Sequence, residues 1–386
     1  MIYLDSAATS LLKPRSVHMA VQNAMRTMAS PGRGGHRPAL RAAETAYDCR
    51  VCLAELFKVP EPEDVVFTMN ATHGLNIAIN TLVSAGDRVV VSGWEHNAVT
   101  RPLRMLGADV DVAWAPVFDS ASTIEAFRSK IPGAACVVCT HVSNVFGFIL
   151  PIYEIAELCR EYGAPLIVDA SQSAGVLEVD ARRLGAEFIA MPGHKGLLGP
   201  QGTGVLLCRG EARPLMAGGT GSESRSQSMP DFLPDRLEAG THNIPGIAGL
   251  LAGLRYVERC GLEAIDSRER ALKALMCRRL EAAPGLEVFA SDGAQAGVLS
   301  VRSRAMGSEE LAAALAEKQA ALAAAQSAAD TAGENAARAL ADAQAALDTA
   351  AKAYEKSKQE TEFQNRQNNL DAQTAVSRRC LFPCIV

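Results

Sequence analysis

The chain has 386 residues, 48% of them hydrophobic, and a formal net charge of −5, a balance that gives no electrostatic basis for holding nucleic acid or an anionic membrane. No apolar run approaches the length of a bilayer span, while the length supports a large core and more than one domain. Ten cysteines, with MIYLDSAATS opening the chain in place of a basic and apolar leader, point to reduced thiols and a cytoplasmic address.

Short apolar runs alternate with helical stretches, the pattern of a mostly parallel sheet with helices on both faces. The strands are predicted at Val65–Thr68, Arg88–Ser92, Val110–Ala113, Cys136–His141, Leu166–Asp169, Phe188–Met191 and Gly204–Cys208. Ahead of the first strand, SPGRGGHR lacks the GxxxxGK pattern and the strand-loop-helix setting of a phosphate loop, and its glycines permit close backbone approach. Cys49 and Cys52 fall on a helix, and Cys136 and Cys139 on a strand, where positions three apart face opposite sides. That spacing argues for core cysteines and against a zinc site.

Met69-Asn70-Ala71-Thr72-His73-Gly74 opens an amphipathic helix, so the backbone N–H groups from Ala71 onward and the Thr72 hydroxyl suit a phosphate. Read alone, Thr72 is an N-cap residue. His96 follows Trp94-Glu95 just after a strand, where an imidazole can lie on a flat ring or simply form a structural hydrogen bond. Asn144 ends CTHVSN and reads locally as a turn residue.

The most informative stretch is APLIVDASQSAGVLEVDARRLGAEFIAMPGHKGLLGPQGTGVL. Asp169 ends an apolar strand, so its carboxylate emerges at the carboxyl edge of the sheet, where ligands bind in open α/β folds. Gln172 lies three residues on, and Lys195 sits in the glycine-rich turn after the next strand. A carboxylate to hold a ring nitrogen protonated, an amide to meet a phenolic oxygen, and a lysine whose pKa falls on burial together suit pyridoxal 5'-phosphate. Taken singly, the lysine is a solvated surface group and the aspartate an N-cap.

In chain order, MIYLDSAATS, SPGRGGHR, VFTMNATHGLN, WEHNAV, THVSNVFG, VDASQSAG, PGHKGLLGPQGTG and RLEAGTHNIPGIAGL resemble the class V aminotransferase-fold enzymes. Within them the likeness is to the cysteine desulfurases and selenocysteine lyases, over about residues 1–318. It implies the type I fold of pyridoxal-phosphate-dependent transferases: α/β, with a mostly parallel seven-stranded sheet between helices and a smaller, here incomplete, C-terminal α+β domain. The implied divisions are residues 1–12 as the N-terminal segment of the small domain, 13–255 as the large cofactor domain, 256–318 as the partial small domain, and 319–386 as a helical or disordered tail.

The resemblance also implies roles. Ala71 and Thr72 belong to the phosphate cup, His96 stacks on the ring and assists proton transfer, and Asn144 and Gln172 donate to the phenolic oxygen. Asp169 meets the ring nitrogen, His194 contacts the phosphate, and Lys195 carries the cofactor. Thr241, in EAGTHN, reaches the phosphate of a neighbouring subunit, which implies a homodimer; on local grounds Ala239-Gly240-Thr241 is a turn before a helix at Ile244–Tyr256. Pro192 stands where many members place a hydroxyl donor.

From about Gln319 the chain becomes alanine-rich and then polar. Alanine favours helix, and Leu340, Leu347 and Tyr354 recur every seven residues, as in a partner-binding stripe or a solvated, frayed helix. The family's nucleophilic-cysteine loop and carboxylate-binding arginine have no match there. Cys380 and Cys384 would reach a site only if the tail folded back. The expected activity is removal of sulfur from L-cysteine to give L-alanine and an enzyme persulfide, with a protein as sulfur acceptor. The alternatives are a selenocysteine lyase or another β-lyase, and a catalytically impaired scaffold whose tail recruits a partner.

Overall fold

The computed structural model describes residues 3–32, 34–223, 225–332 and 344–345. They divide into two compact units, one taking in Asp5–Glu269 with Gly293–Ala296 and the other Met1–Leu4, Arg270–Asp292 and Gly297–Val386.

The first unit is built on a seven-stranded sheet. Helices α1 (Arg15–Thr27) and α2 (Arg37–Phe57) precede β1 (Val65–Thr68) and α3 (Ala71–Leu82). Then come β2 (Arg88–Ser92), α4 (Asn97–Leu106), β3 (Asp109–Ala113), α5 (Ser120–Lys130) and β4 (Cys136–Thr140). The chain continues through α6 (Ile152–Tyr162), β5 (Leu166–Asp169), α7 (Ala181–Leu184), β6 (Phe188–Pro192), β7 (Gly204–Cys208) and α8 (Ile244–Cys260). All seven predicted strands are present. The third starts one residue earlier than expected, the fourth ends one residue sooner, and the sixth runs on to Pro192.

The spatial order is β1-β7-β6-β5-β4-β2-β3, and β7 alone runs against the rest, pairing antiparallel with both β1 and β6. Side chains alternate with the pleat. Val89, Val91, Val138, Ile167, Phe188 and Leu206 pack with Leu75, Ile79 and Leu103 from α3 and α4 on one face. Val90, Val137, Val168, Ile189 and Leu207 pack with Leu53, Phe127, Ile155 and Leu250 from α2, α5, α6 and α8 on the other. A strand covered on both faces reads as a continuous apolar run, which is why these strands stand out in the sequence. The same alternation sends Cys136 to the first face and Cys139 to the second.

Strand order reverses beside β4, which pairs with β2 on one side and β5 on the other. Such a reversal leaves a crevice beyond the carboxyl ends of the strands. Asp169 lies there, with its backbone C=O taking the N–H of His141 at 2.9 Å.

In the second unit, α9 (Leu262–Glu281), which belongs to it from Arg270 onward, precedes the antiparallel pair β8 (Leu286–Phe289) and β9 (Ser300–Ser303). Lys273 donates through Nζ to the Ser291 carbonyl at 2.7 Å. Helix α10 (Ser308–Ala332) follows, and the composition change at Gln319 falls inside it without a break, as alanine's helix propensity allows. Leu340, Leu347, Tyr354, Cys380 and Cys384 lie outside the described residues. Among the described residues no helix is long and apolar enough to cross a membrane.

Candidate functional site

Asp169 ends β5 and Lys195 lies in the turn after β6, near enough for the charge of Asp169 to act on the lysine. Asp169 is 3% exposed and accepts the Ser171 N–H through Oδ1 at 2.9 Å, a local turn that fixes the carboxylate at the strand end. Lys195 Nζ has no hydrogen-bond or ion-pair partner among the described residues. Burial draws its pKa below the ordinary lysine value, and the charge of Asp169 opposes that shift. The turn holding Lys195 is pressed against the segment after β5: a Cβ on Gly175, which has φ of +84°, would stand 2.5 Å from the Gly196 backbone. Only glycine permits that approach.

The N-terminal segment straps this turn down. Ser10 Oγ donates to the carbonyls of His194 and Lys195, each at 3.0 Å, and Thr9 Oγ1 lies 2.9 Å from His194 Nδ1. Lys13 Nζ donates to Ser10 Oγ at 2.5 Å and to the His194 carbonyl at 2.8 Å, and burial lowers its pKa to about 8. The His194 pKa is lowered by burial and by the two neighbouring lysines. Gln172 turns toward the same strap, giving its Nε2 to the Ala7 carbonyl at 2.9 Å.

The first turn of α3 lies at this end of the sheet, with Gly74 packed against Ala190 of β6 and Leu206 of β7. The helix cap is Asn70, whose side chain accepts from His73 N at 2.9 Å, so Thr72 is the second helical residue and not the cap. Asn70 satisfies one orphan donor and leaves the amides of Ala71 and Thr72 at the open helix end. Thr72 is exposed and Ala71 buried. Gly204 makes room for this turn, since a Cβ there would meet the Asn70 backbone at 2.6 Å.

His96 caps α4, with Nδ1 accepting from Ala98 N at 3.1 Å, which leaves Nε2 as the outward nitrogen of an exposed ring. Beside it, Glu95 joins two strand ends: its Oε1 accepts from Ser92 Oγ at 2.5 Å and from Thr140 N at 2.8 Å. Its Oε2 is buried without a hydrogen-bond partner among the described residues. Burial, with the nearby charge of Asp169 adding to it, pushes the Glu95 carboxyl up to about 8, so it is neutral at pH 7. A carboxyl whose pKa rises on folding favours the folded state most below about 4.5, and that contribution is lost as pH climbs through about 8. Glu95→Gln should therefore gain on the native chain as pH rises, the difference in melting temperature widening by roughly 5 °C between pH 5 and pH 8. A gap that stays constant by scanning calorimetry would remove the neutral carboxyl.

Asn144 is partly buried in the turn after β4, which closes through Gly147 N to the Ser143 carbonyl at 2.8 Å. Thr241 is exposed just before α8, whose cap is Asn243, and no hydrogen bond brings it to Lys195. A single chain thus gathers Asp169, Gln172, His194 and Lys195, sets Ala71, Thr72 and His96 at the same sheet end, and leaves Thr241 outward. Sequence reasoning missed Lys13 and Glu95. Their only local signals are adjacency to the MIYLDSAATS segment and to His96.

The described cysteines have a common character. Cys49, Cys52, Cys136, Cys139, Cys159, Cys208 and Cys277 all have thiols pushed up by burial, and Cys260 is exposed at the end of α8.

The residues at the sheet edge suit a pyridoxal phosphate: a buried carboxylate for the ring nitrogen, a lysine without a hydrogen-bond or ion-pair partner among the described residues, and an open helix end for the phosphate. The sequence model of the family Aminotransferase class-V matches residues 2–345. A probable cysteine desulfurase of Pyrococcus abyssi is 34% identical over 288 residues, 70% of this chain and 71% of its own length. One of Methanothermobacter thermautotrophicus is 34% identical over 313 residues, 78% of this chain and 77% of its own. Among solved structures, the apo cysteine desulfurase of Thermococcus onnurineus NA1 superposes with a TM-score of 0.75 at 32% identity, covering 82% of each chain. The cysteine desulfurase CsdA (S-sulfonic acid) of Escherichia coli does so with a TM-score of 0.71 at 27% identity, again over 82% of each.

Proposed function

The chain belongs to the class-V aminotransferase family, with cysteine desulfurase homologues over most of its length, and we propose that it is a pyridoxal-phosphate-dependent enzyme acting on L-cysteine. The observation that carries this reading is Lys195, a partly buried lysine with a lowered pKa and no hydrogen-bond or ion-pair partner among the described residues, under the influence of the Asp169 charge at the carboxyl edge of the sheet. When bound, the cofactor supplies an electron sink for the carbanion left at the substrate Cα.

The chain's own groups do the rest. Lys195 Nζ would hold the cofactor and then take the Cα proton, a task that a lysine pKa drawn down by burial favours. The Asp169 carboxylate would hold a proton on the ring nitrogen, and a Glu95 carboxyl pushed up to about 8 avoids a second negative charge near it. His96, whose Nε2 is the outward nitrogen, would serve in proton transfer at the cofactor, and Asn144 would donate to its phenolic oxygen. Gln172 shares its amide between that oxygen and Ala7. The amides of Ala71 and Thr72, the Thr72 hydroxyl and His194 receive the phosphate, and Thr241 reaches the site of a second copy in a homodimer.

Desulfuration also needs a thiolate to attack the substrate sulfur. The thiols pushed up by burial are poorly suited to it, which favours, as a second reading, a β-lyase whose activity does not pass through an enzyme persulfide. The test is release of alanine with sulfide from L-cysteine and of alanine with selenide from selenocysteine. The full chain would be compared with Cys380→Ala/Cys384→Ala and with a truncation after Lys318. Alanine release should be weak and should change less than about threefold in the double mutant. Robust turnover that vanishes in the double mutant would make the terminal cysteines the sulfur acceptors. Absence of cofactor binding would end the reading altogether.

A further inference from the structure

Strand β1 is an edge of the sheet, paired only with β7. Its free side would leave the Val65 carbonyl and the Phe67 amide unpaired, as any edge strand does. A buried ion pair takes the place of the next strand. Arg50, on α2 and 8% exposed, donates through Nη1 to the Val65 carbonyl and through Nη2 to Glu238 Oε2 at 2.6 Å. Glu238, 5% exposed, accepts the Phe67 N–H through Oε1 at 2.6 Å. The guanidinium also lies 4.2 Å from the centre of the Phe67 ring, and His242 Nε2 stands 3.1 Å from Glu238 Oε2.

Two segments are anchored at that point. Phe67 is three residues ahead of Asn70, whose cap opens the helix end at Ala71 and Thr72. Glu238 is three residues ahead of Thr241 and five ahead of Asn243, which caps α8 through Gly246 N at 3.0 Å. We propose that Glu238 and Arg50 are a positioning pair that sets the phosphate-binding elements of two sites at once, the Asn70–Thr72 turn of its own subunit and the Thr241 segment offered to the neighbouring one. This inference rests on the cofactor and dimer reading above. It adds that occupancy of one site depends on an ion pair in the other subunit. A charge-assisted pair with all of its oxygens used holds both segments to one geometry. Glu238→Gln keeps the acceptor for Phe67 but turns an amide N–H2 group against the guanidinium, so the lesion is one of placement.

The experiment compares pyridoxal phosphate with pyridoxal, which lacks the phosphate. Binding to the full chain is followed by visible absorbance, and far-UV circular dichroism reports the fold. Glu238→Gln should weaken pyridoxal phosphate about tenfold and pyridoxal by less than about twofold. Arg50→Lys, which keeps the charge but loses the bond to Val65, should give about a threefold effect with the same selectivity, and serves if Glu238→Gln does not fold. The second arm mixes the native chain with a Glu238→Gln/Lys195→Ala chain, so that only the native subunit's site carries the chromophore. Its affinity for pyridoxal phosphate should fall about threefold relative to mixing with Lys195→Ala alone. Equal weakening of both ligands reduces the pair to a general structural brace and overturns the proposal, as does an unchanged affinity in the mixed dimer. A native chain that binds neither ligand overturns the cofactor reading and this inference together.

Discussion

Replacing Lys195 by alanine is expected to remove the visible absorbance of the bound cofactor and to lower turnover of L-cysteine at least about 10⁴-fold. The size follows from the two tasks placed on one atom. Nζ is the only amine at the Asp169 end of the sheet with no partner among the described residues, whereas Lys13 is already committed to Ser10 and His194. Borohydride reduction followed by peptide mapping should find the cofactor on Lys195 in the native chain. Label on Lys13 instead would move the site to the N-terminal strap. Folding should change little in the mutant, since the side chain gives up no hydrogen bond.

Asp169→Ala is expected to cost roughly 10³-fold in turnover while weakening cofactor binding far less, because a preorganised charge is lost where it acts on the reacting system. The accepted bond from Ser171 is lost as well, a destabilisation of about 1 kcal/mol. A second consequence is independent of activity. Asp169 holds the Lys195 pKa up against burial, so its removal should lower that pKa further. In the cofactor-free chain, Lys195 of Asp169→Ala should react faster with a neutral acylating reagent at pH 7 than the native lysine does. Slower or unchanged labelling would separate the two groups and remove the electrostatic basis of the site.

The strands were legible because each is covered on both faces and therefore reads as an uninterrupted apolar run, and their carboxyl ends followed from where those runs stop. Lys195 and Asp169 were legible for the same reason, as polar residues at the ends of Phe188–Pro192 and Leu166–Asp169. The cap of α3 was less so. Asn70 and Thr72 carry equally suitable side chains two residues apart, and the choice fell to Asn70 because Gly204 packs against its backbone, 134 positions away in the chain. Gln172 is another such case, since its amide meets a carbonyl supplied by Ala7, at the far end of the sequence.

By itself the sequence determined the alternation of strands and helices, the order of the sheet-edge residues, and the pairing of a carboxylate with a lysine that fits pyridoxal phosphate. These are properties of period and position, which a chain carries locally. The tertiary structure alone decided which charges are buried and what meets them. The Glu95 carboxyl is pushed up to about 8 because folding buries it, against the lowering effect of its bonds from Ser92 and Thr140, and the edge of β1 is closed because Arg50 and Glu238, 188 positions apart, are driven together out of water. The cost of desolvating a carboxyl or a guanidinium depends on every group packed around it, and those groups come from segments whose separation along the chain carries no sign of their meeting.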